Sequence, residues 1–207
     1  MHVIDLFDSG ARNYPHQLAL TGAGGDLSYA DAWAFSNRIA RAMLAEGVKP
    51  GTKFAALSPN SSLVMVAMLG AIRAGGAWCN INLRAAVNAN VDILRRGRCE
   101  VLLFHSSVAD MVPAFTEAIP DLRRVICLDS ADTSYPSLTQ WAAGQSDGRL
   151  DYRVPVTSLG FQGSTGGTTG APKLTQASNE WLAMCTLAWA TCWHFDAPCH
   201  FSFFLAR

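Results

Sequence analysis

Charge is scarce in this sequence. Only 15% of its 207 residues are Asp, Glu, Lys or Arg, and 16 acidic side chains cancel 16 basic ones, so the formal net charge is zero. With a pI near 6.9 the chain has no field to draw in a nucleic acid or an anionic lipid surface, and neither is expected as a partner. The short basic pieces, Arg95-Arg96 with Arg98 and Arg123-Arg124, read as solvated helix and turn faces. Long apolar runs are missing too. The stretch from Leu63 to Leu83 is interrupted by Arg73, and that from Trp181 to Phe195 is too short, so no membrane span is expected. Asp5 and Asp8 stand where a secretory leader needs an apolar core.

Cysteine is present but without a framework. Cys79, Cys99, Cys127, Cys185, Cys192 and Cys199 follow no regular spacing, and several lie inside apolar runs where a free thiol acts as a small hydrophobe. A reducing, cytoplasmic setting follows. Cys192 and His194 with Cys199 and His200 do not reproduce a zinc-ligand spacing, so no metal ligand is assigned.

What the chain does have is apolar material, 50% of its residues, enough for a sizeable core. Val3, Leu6, Phe7, Ala11 and Tyr14 recur at helical spacing until Pro15. Leu18–Leu20 and Leu27–Tyr29, separated by a glycine turn, form a predicted hairpin. Ser28 followed by Asp31 resembles a capping signature and opens a helix with Ala32, Phe35, Ile39, Met43 and Leu44 on one face, ended by Gly47. Buried strands are predicted at Lys53–Leu57, Ala77–Ile81, Val101–Phe104 and Val125–Leu128. Helices are predicted over Leu63–Ala74, Asn88–Arg98 and Val108–Ala118. This alternation specifies an α/β fold, a mixed or parallel sheet with helices on both faces. The interval from Asp129 to Val156 is polar and turn-rich apart from a short helix near Leu138–Ala143, and reads as a surface connection; Asn179–Trp193 reads as a further helix.

One stretch carries chemistry. Gly163 to Lys173 reads Gly-Ser-Thr-Gly-Gly-Thr-Thr-Gly-Ala-Pro-Lys, between the short apolar run Thr157–Phe161 and Leu174-Thr175-Gln176. Glycines at this density let consecutive N–H groups curl around an anion, hydroxyls add donors, and Lys173 adds a point charge. The combination suits a phosphate cradle. It is not a Walker A loop: Ala171 and Pro172 separate Gly170 from Lys173, and Leu174 replaces the hydroxyl that would bind Mg²⁺. A flexible linker would share the composition but has no reason to fix this residue order.

The order itself resembles the phosphate-binding signature of adenylate-forming (AMP-dependent synthetase/ligase) enzymes, through Thr165, Gly166, Gly167, Thr168, Thr169, Gly170, Pro172 and Lys173; Leu174 after the lysine is most similar to the acyl-CoA synthetase branch. Tyr14-Pro15 before Ala19-Leu20, Gly47-Val-Lys-Pro-Gly51, Pro59-Asn60 and Ala74-Gly-Gly-Ala-Trp78 fit the same family in order. The resemblance implies attack of a carboxylic acid substrate on the α-phosphate of Mg·ATP, release of pyrophosphate, and transfer of the acyl group to coenzyme A. Thr165, Gly166, Gly167, Thr168, Thr169, Gly170 and Lys173 would then bind the nucleotide, with Lys173 stabilising phosphate charge.

The family's later motifs find no counterpart here, and of its His-x-x-Asn segment only Asn179 remains. Residues 1–196 are therefore expected to be a partial N-terminal adenylation domain, with 197–207 an atypical tail of a truncated, frame-shifted or excised chain, inactive alone. Its apolar stretches at Leu63–Ala74 and Trp181–Phe204 are expected to be exposed, favouring self-association or a partner chain. Two other readings stay open: a non-catalytic nucleotide- or phosphate-binding module, and a structural α/β remnant acting through a partner.

Overall fold

The computed structural model describes residues 1–130, 133–165 and 173–192. Helix α1 (Val3–Asn13) leads into the antiparallel pair β1 (Leu18–Leu20) and β2 (Leu27–Ser28), and α2 (Tyr29–Ala45) follows directly. The Ser28 hydroxyl accepts the Asp31 N–H at 3.1 Å while the Asp31 carboxylate accepts the Ser28 N–H at 3.3 Å, so the predicted reciprocal cap is present. Gly47, with φ +83°, ends α2 in the left-handed region, as glycine permits there.

The main sheet has six strands in the order β6-β5-β3-β4-β7-β8. Strands β3 (Lys53–Leu57), β4 (Ala77–Cys79), β5 (Val101–Phe104), β6 (Arg124–Cys127) and β7 (Leu159–Ser164) run parallel, and β8 (Leu174–Ser178) returns antiparallel along the edge. Successive residues of a strand face opposite sides, and both sides are apolar. Phe54, Leu103 and Ile126 point toward α2, α3 (Ser62–Arg73) and α6 (Leu138–Ala142), where Ile39, Val66 and Leu138 are fully buried. Ala55, Leu102 and Cys127 point the other way, toward α4 (Val87–Gly97) and α5 (Val112–Ala118), where Leu94 and Phe115 complete a second core layer. The mixed sheet with helices on both faces is thus as the apolar pattern requires.

Helix α3 corrects one expectation: Val66, Ala67, Ala71 and Ala74 are wholly buried, so this stretch is not an exposed apolar surface. Its one charge is neutralised internally. The Arg73 guanidinium meets the Asp8 carboxylate through two hydrogen bonds of 2.6 and 3.1 Å, donates to the Ser36 hydroxyl at 3.2 Å, and lies over the Trp33 ring. The interval after β6 is also more than a surface connection. Leu138 and Ala142 of α6 enter the core, and Arg41 of α2 donates to the carbonyls of Ser146, Gly148 and Arg149. By contrast α7 (Asn179–Cys192) buries only Asn179 and Ala183, and leaves Trp181, Met184 and Trp189 more than half exposed. The expected apolar surface is therefore present there; residues beyond Cys192 lie outside the described ones.

Two outcomes test this packing. At Gly70 an added Cβ would stand 2.5 Å from Ile39 Cγ2 and 3.1 Å from the Ser36 carbonyl oxygen, where α2 and α3 cross. Gly70→Ala should therefore cost about 1–3 kcal/mol in urea unfolding, as overpacking does. At the ends of β5 and β6, partial burial would raise the Asp129 carboxyl, but the Ser106 hydroxyl and N–H, His105 and Cys127 outweigh it and hold it below the usual carboxylate range. A lowered carboxyl stabilises the fold above its unfolded-state pKa of about 3.9 and loses that contribution as pH falls through its folded-state value. Asp129→Asn should lower stability at neutral pH, and its deficit relative to the parent chain should vanish in acid.

Candidate functional site

The five parallel strands all end at one edge of the sheet, followed there by Ser58, Asn80, His105, Leu128 and Thr165. Strand β3 leads to α3 on one face, whereas its neighbours β4 and β5 lead to α4 and toward α5 on the other. In open sheets of this kind ligands bind outside the carboxyl ends of the strands, near such a change of side. The glycine-rich stretch leaves the sheet at this edge, between β7 and β8.

Main-chain pairing sets the mouth of that turn. Gly163 stands opposite Thr175 and Ser164 opposite Leu174. Beyond the last strand pair the Thr165 N–H donates to the Lys173 carbonyl at 2.9 Å, and the Thr165 hydroxyl donates to the same oxygen at 3.3 Å. Thr165 and Lys173, the first and last of the sequence-predicted binding residues, are therefore side by side and both exposed. Gly166, Gly167, Thr168, Thr169 and Gly170, with Pro172, lie outside the described residues. The two short extended segments predicted on either side of the loop are found as β7 and β8.

Below the mouth the hairpin is held by contacts that the motif does not foreshadow. The Thr175 hydroxyl donates to the Gly163 carbonyl at 3.2 Å. Asn179 is fully buried at the start of α7; its amide donates to the Ser158 carbonyl and hydroxyl at 3.3 and 3.1 Å, tying the helix to the beginning of β7. Gly160 leaves room for it, since a Cβ there would stand 2.7 Å from Asn179 Oδ1. Gln162 is 3% exposed in the middle of β7. Sequence reasoning passed over it, although a glutamine between Phe161 and Gly163 in an otherwise buried strand was the signal.

The described rim carries the Lys173 ammonium group, which fits phosphate oxygens, while the one O–H donor of Thr165 is engaged with the Lys173 carbonyl. An open depression of about 350 Å³ beside β8, lined by Phe161, Thr175, Gln176, Ala177, Ser178 and Trp181, contains no charged side chain. Lys173, at the mouth of the turn, is not among the residues that line it. Among the described residues no group of three or more His, Cys, Asp or Glu converges on a point, so no residue is assigned to Mg²⁺.

Comparison with known proteins agrees with this geometry. A family model described as AMP-binding enzyme matches residues 7–204. The chain is 27% identical over 172 residues to nonribosomal peptide synthetase 5 of Gibberella zeae, covering 83% of this chain and 1% of that protein. It is 24% identical over 181 residues to a medium/long-chain-fatty-acid–CoA/3-oxocholest-4-en-26-oate–CoA ligase of Mycolicibacterium smegmatis, covering 84% of this chain and 32% of that one. Among solved structures, the anthranilate CoA ligase AuaEII in complex with anthranoyl-AMP superposes with a TM-score of 0.84 at 18% identity, over 92% of this chain and 37% of the other. ATP-bound MatB from Rhodopseudomonas palustris gives 0.77 at 25% identity, over 94% and 38%. The chain thus spans about a third of the length of the ligases it matches. With the glycine-rich turn at the carboxyl edge of its sheet and a family match along nearly its whole length, the chain belongs to the adenylate-forming, AMP-binding enzyme family.

Proposed function

We propose that this chain supplies the polyphosphate-binding part of an ATP-dependent acyl-CoA synthetase, which joins a carboxylic acid to AMP with release of pyrophosphate and passes the acyl group to coenzyme A. The observation that carries the reading is the pairing of Thr165 with Lys173 at the carboxyl edge of the parallel sheet. It brings a hydroxyl and an ammonium-bearing residue to the two ends of a turn whose sequence is rich in donors.

Physically, the turn's task is electrostatic. Charge accumulates on the phosphate oxygens and on the departing pyrophosphate, and fixed donors that meet it lower the barrier without acid–base chemistry. Thr168 and Thr169 would donate hydroxyls, as would Thr165 on exchanging its bond to the Lys173 carbonyl; Gly166, Gly167 and Gly170 would allow close approach of main-chain N–H groups, and Lys173 would supply charge. Coenzyme A as acceptor rests on Leu174 and on the likeness to CoA ligases; the peptide synthetase relative marks adenylation for peptide synthesis as the neighbouring reading. A cytoplasmic location follows from the scattered free cysteines and from ATP as substrate. The same reading takes the chain as one that binds nucleotide but does not turn over by itself, with the exposed Trp181 and Met184 of α7 awaiting cover from a partner.

Calorimetric titration with ATP and with pyrophosphate tests the reading. Lys173→Ala should weaken pyrophosphate binding about tenfold or more, the loss expected for one charge-assisted contact, and unaltered affinity would contradict the assignment. Carboxylate-dependent ATP–pyrophosphate exchange should be absent from the isolated chain, and measurable exchange would overturn the proposed inactivity.

A further inference from the structure

Strand β8 begins directly after Lys173 and, among the described residues, is the edge of the sheet, hydrogen-bonded to β7 on one side only. Its Thr175 and Gln176 side chains are exposed, so little apolar burial holds it in register. Besides the Thr175 hydroxyl on the Gly163 carbonyl, one side-chain contact runs from this edge to a buried side chain. Gln176 stands directly opposite Gln162 across the hairpin, and its Nε2 donates to Gln162 Oε1 at 3.2 Å. Gln162 is itself fixed from the far side. Its Nε2 donates to Cys79 Sγ at 3.7 Å, its carbonyl accepts the Asn80 N–H at 3.0 Å, and Gly97 at the end of α4 leaves it room. A Cβ at Gly97 would stand 2.2 Å from Gln162 Nε2. The Cys99 thiol, buried in the same core layer as Cys79, donates to the Val101 carbonyl at 3.3 Å. A polar line thus runs from Cys79 of β4 through Gln162 of β7 to the exposed edge.

We propose that Gln162 and Gln176 are positioning residues: a cross-strand amide pair, anchored at Cys79 and Gly97, that holds the edge strand in register and so fixes the mouth of the phosphate turn and the place of Lys173. The physical argument is one of alternatives. A Gln162 side chain buried without an acceptor-side partner would carry an unpaired carbonyl, so the pair persists once formed. Gln176, three residues along the chain from Lys173, is itself exposed and can be solvated on release, but its release leaves the buried Gln162 carbonyl without a partner. Asn179 and Gln176 also occupy the two ends of a four-residue segment, Gln176-Ala-Ser-Asn179, and both are fastened to β7: one to Gln162 at mid-strand, the other to Ser158 before its start. Two amides therefore brace β8 at separate points, the first beside the mouth and the second at the helix junction.

The consequence for nucleotide binding rests on the function proposed above, but the positioning itself does not, and the experiment separates them. Amide hydrogen exchange in the chain without ligand reads the mouth directly. Gln162→Met keeps the side-chain length beside Gly97 and removes the acceptor; Gln176→Ala removes the donor at an exposed position that folding tolerates. Each should speed exchange of the Thr165 N–H about threefold to tenfold, the range one neutral hydrogen bond controls, while the β3 and β5 amides stay unchanged. The double variant should exchange no faster than Gln162→Met alone, because the bond that Gln176→Ala removes is already absent there. Gln176→Lys, which keeps an N–H donor for Gln162 Oε1 at the exposed position, should restore most of the protection lost in Gln176→Ala. Pyrophosphate affinity, measured alongside, should fall with the same pattern. Unchanged Thr165 exchange in both single variants, or additive effects in the double one, would overturn the positioning role whatever the affinity does. Altered exchange with no pyrophosphate binding by the parent chain would uphold it and contradict the phosphate reading.

Discussion

The structure depends on a hairpin that ends a parallel sheet. Parallel strands β3 to β7 deliver their carboxyl ends to one edge, and the reversal into β8 keeps the connecting turn at that edge instead of carrying the chain away over a helix. Because the Thr165 N–H and the Lys173 carbonyl close the turn, residues far apart in the phosphate signature begin and end at one point. Antiparallel pairing on one side of β8 is a modest anchor, and the site's geometry rests on the few polar contacts that reinforce it: Thr175 on Gly163, Gln176 on Gln162, Asn179 on Ser158.

Much of the frame was legible because local chemistry and packing agree. Ser28 and Asp31 cap α2, Gly47 ends it, and Lys53–Leu57 and Val101–Phe104 are apolar on both faces as central parallel strands must be. Elsewhere tertiary contacts prevailed. The helix predicted over Val108–Ala118 is a 3-10 segment (Ser106–Met111) followed by α5, because the His105 ring accepts the Ser107 N–H and starts a separate turn, and Pro113 begins the second helix. Strand β4 stops at Cys79 instead of Ile81: the Asn80 N–H turns to Gln162, and Asn82 is held by the Asn90 side chain. Arg73 looked like an interruption in an apolar run, and only its distant partner Asp8 explains how a charge is kept there.

The binding residues show the same division. A motif specifies residue types, so Thr165 and Lys173 could be named from order alone; their adjacency needed the pairing of β7 with β8. Gln162 illustrates the converse. Its identity is plain in the sequence, yet its meaning lies in Gly97, Cys79 and Gln176, which are brought to it by α4, β4 and β8. Strand order cannot be read from apolar periodicity, and every contact of this buried amide depends on it. The exposed side of α7, with Trp181 and Met184 on a helix apolar nearly all round, belongs to the same hairpin unit and begins where β8 ends.

The central claim is that the paired ends of the glycine-rich turn meet the polyphosphate of a nucleotide. Following main-chain amide resonances during a pyrophosphate titration tests it most directly. The account predicts saturable shifts at Thr165, Lys173 and Thr175, with the amides of β5 and β6 silent. A titration that leaves those three resonances in place, or moves only residues remote from the carboxyl edge of β7, would contradict it.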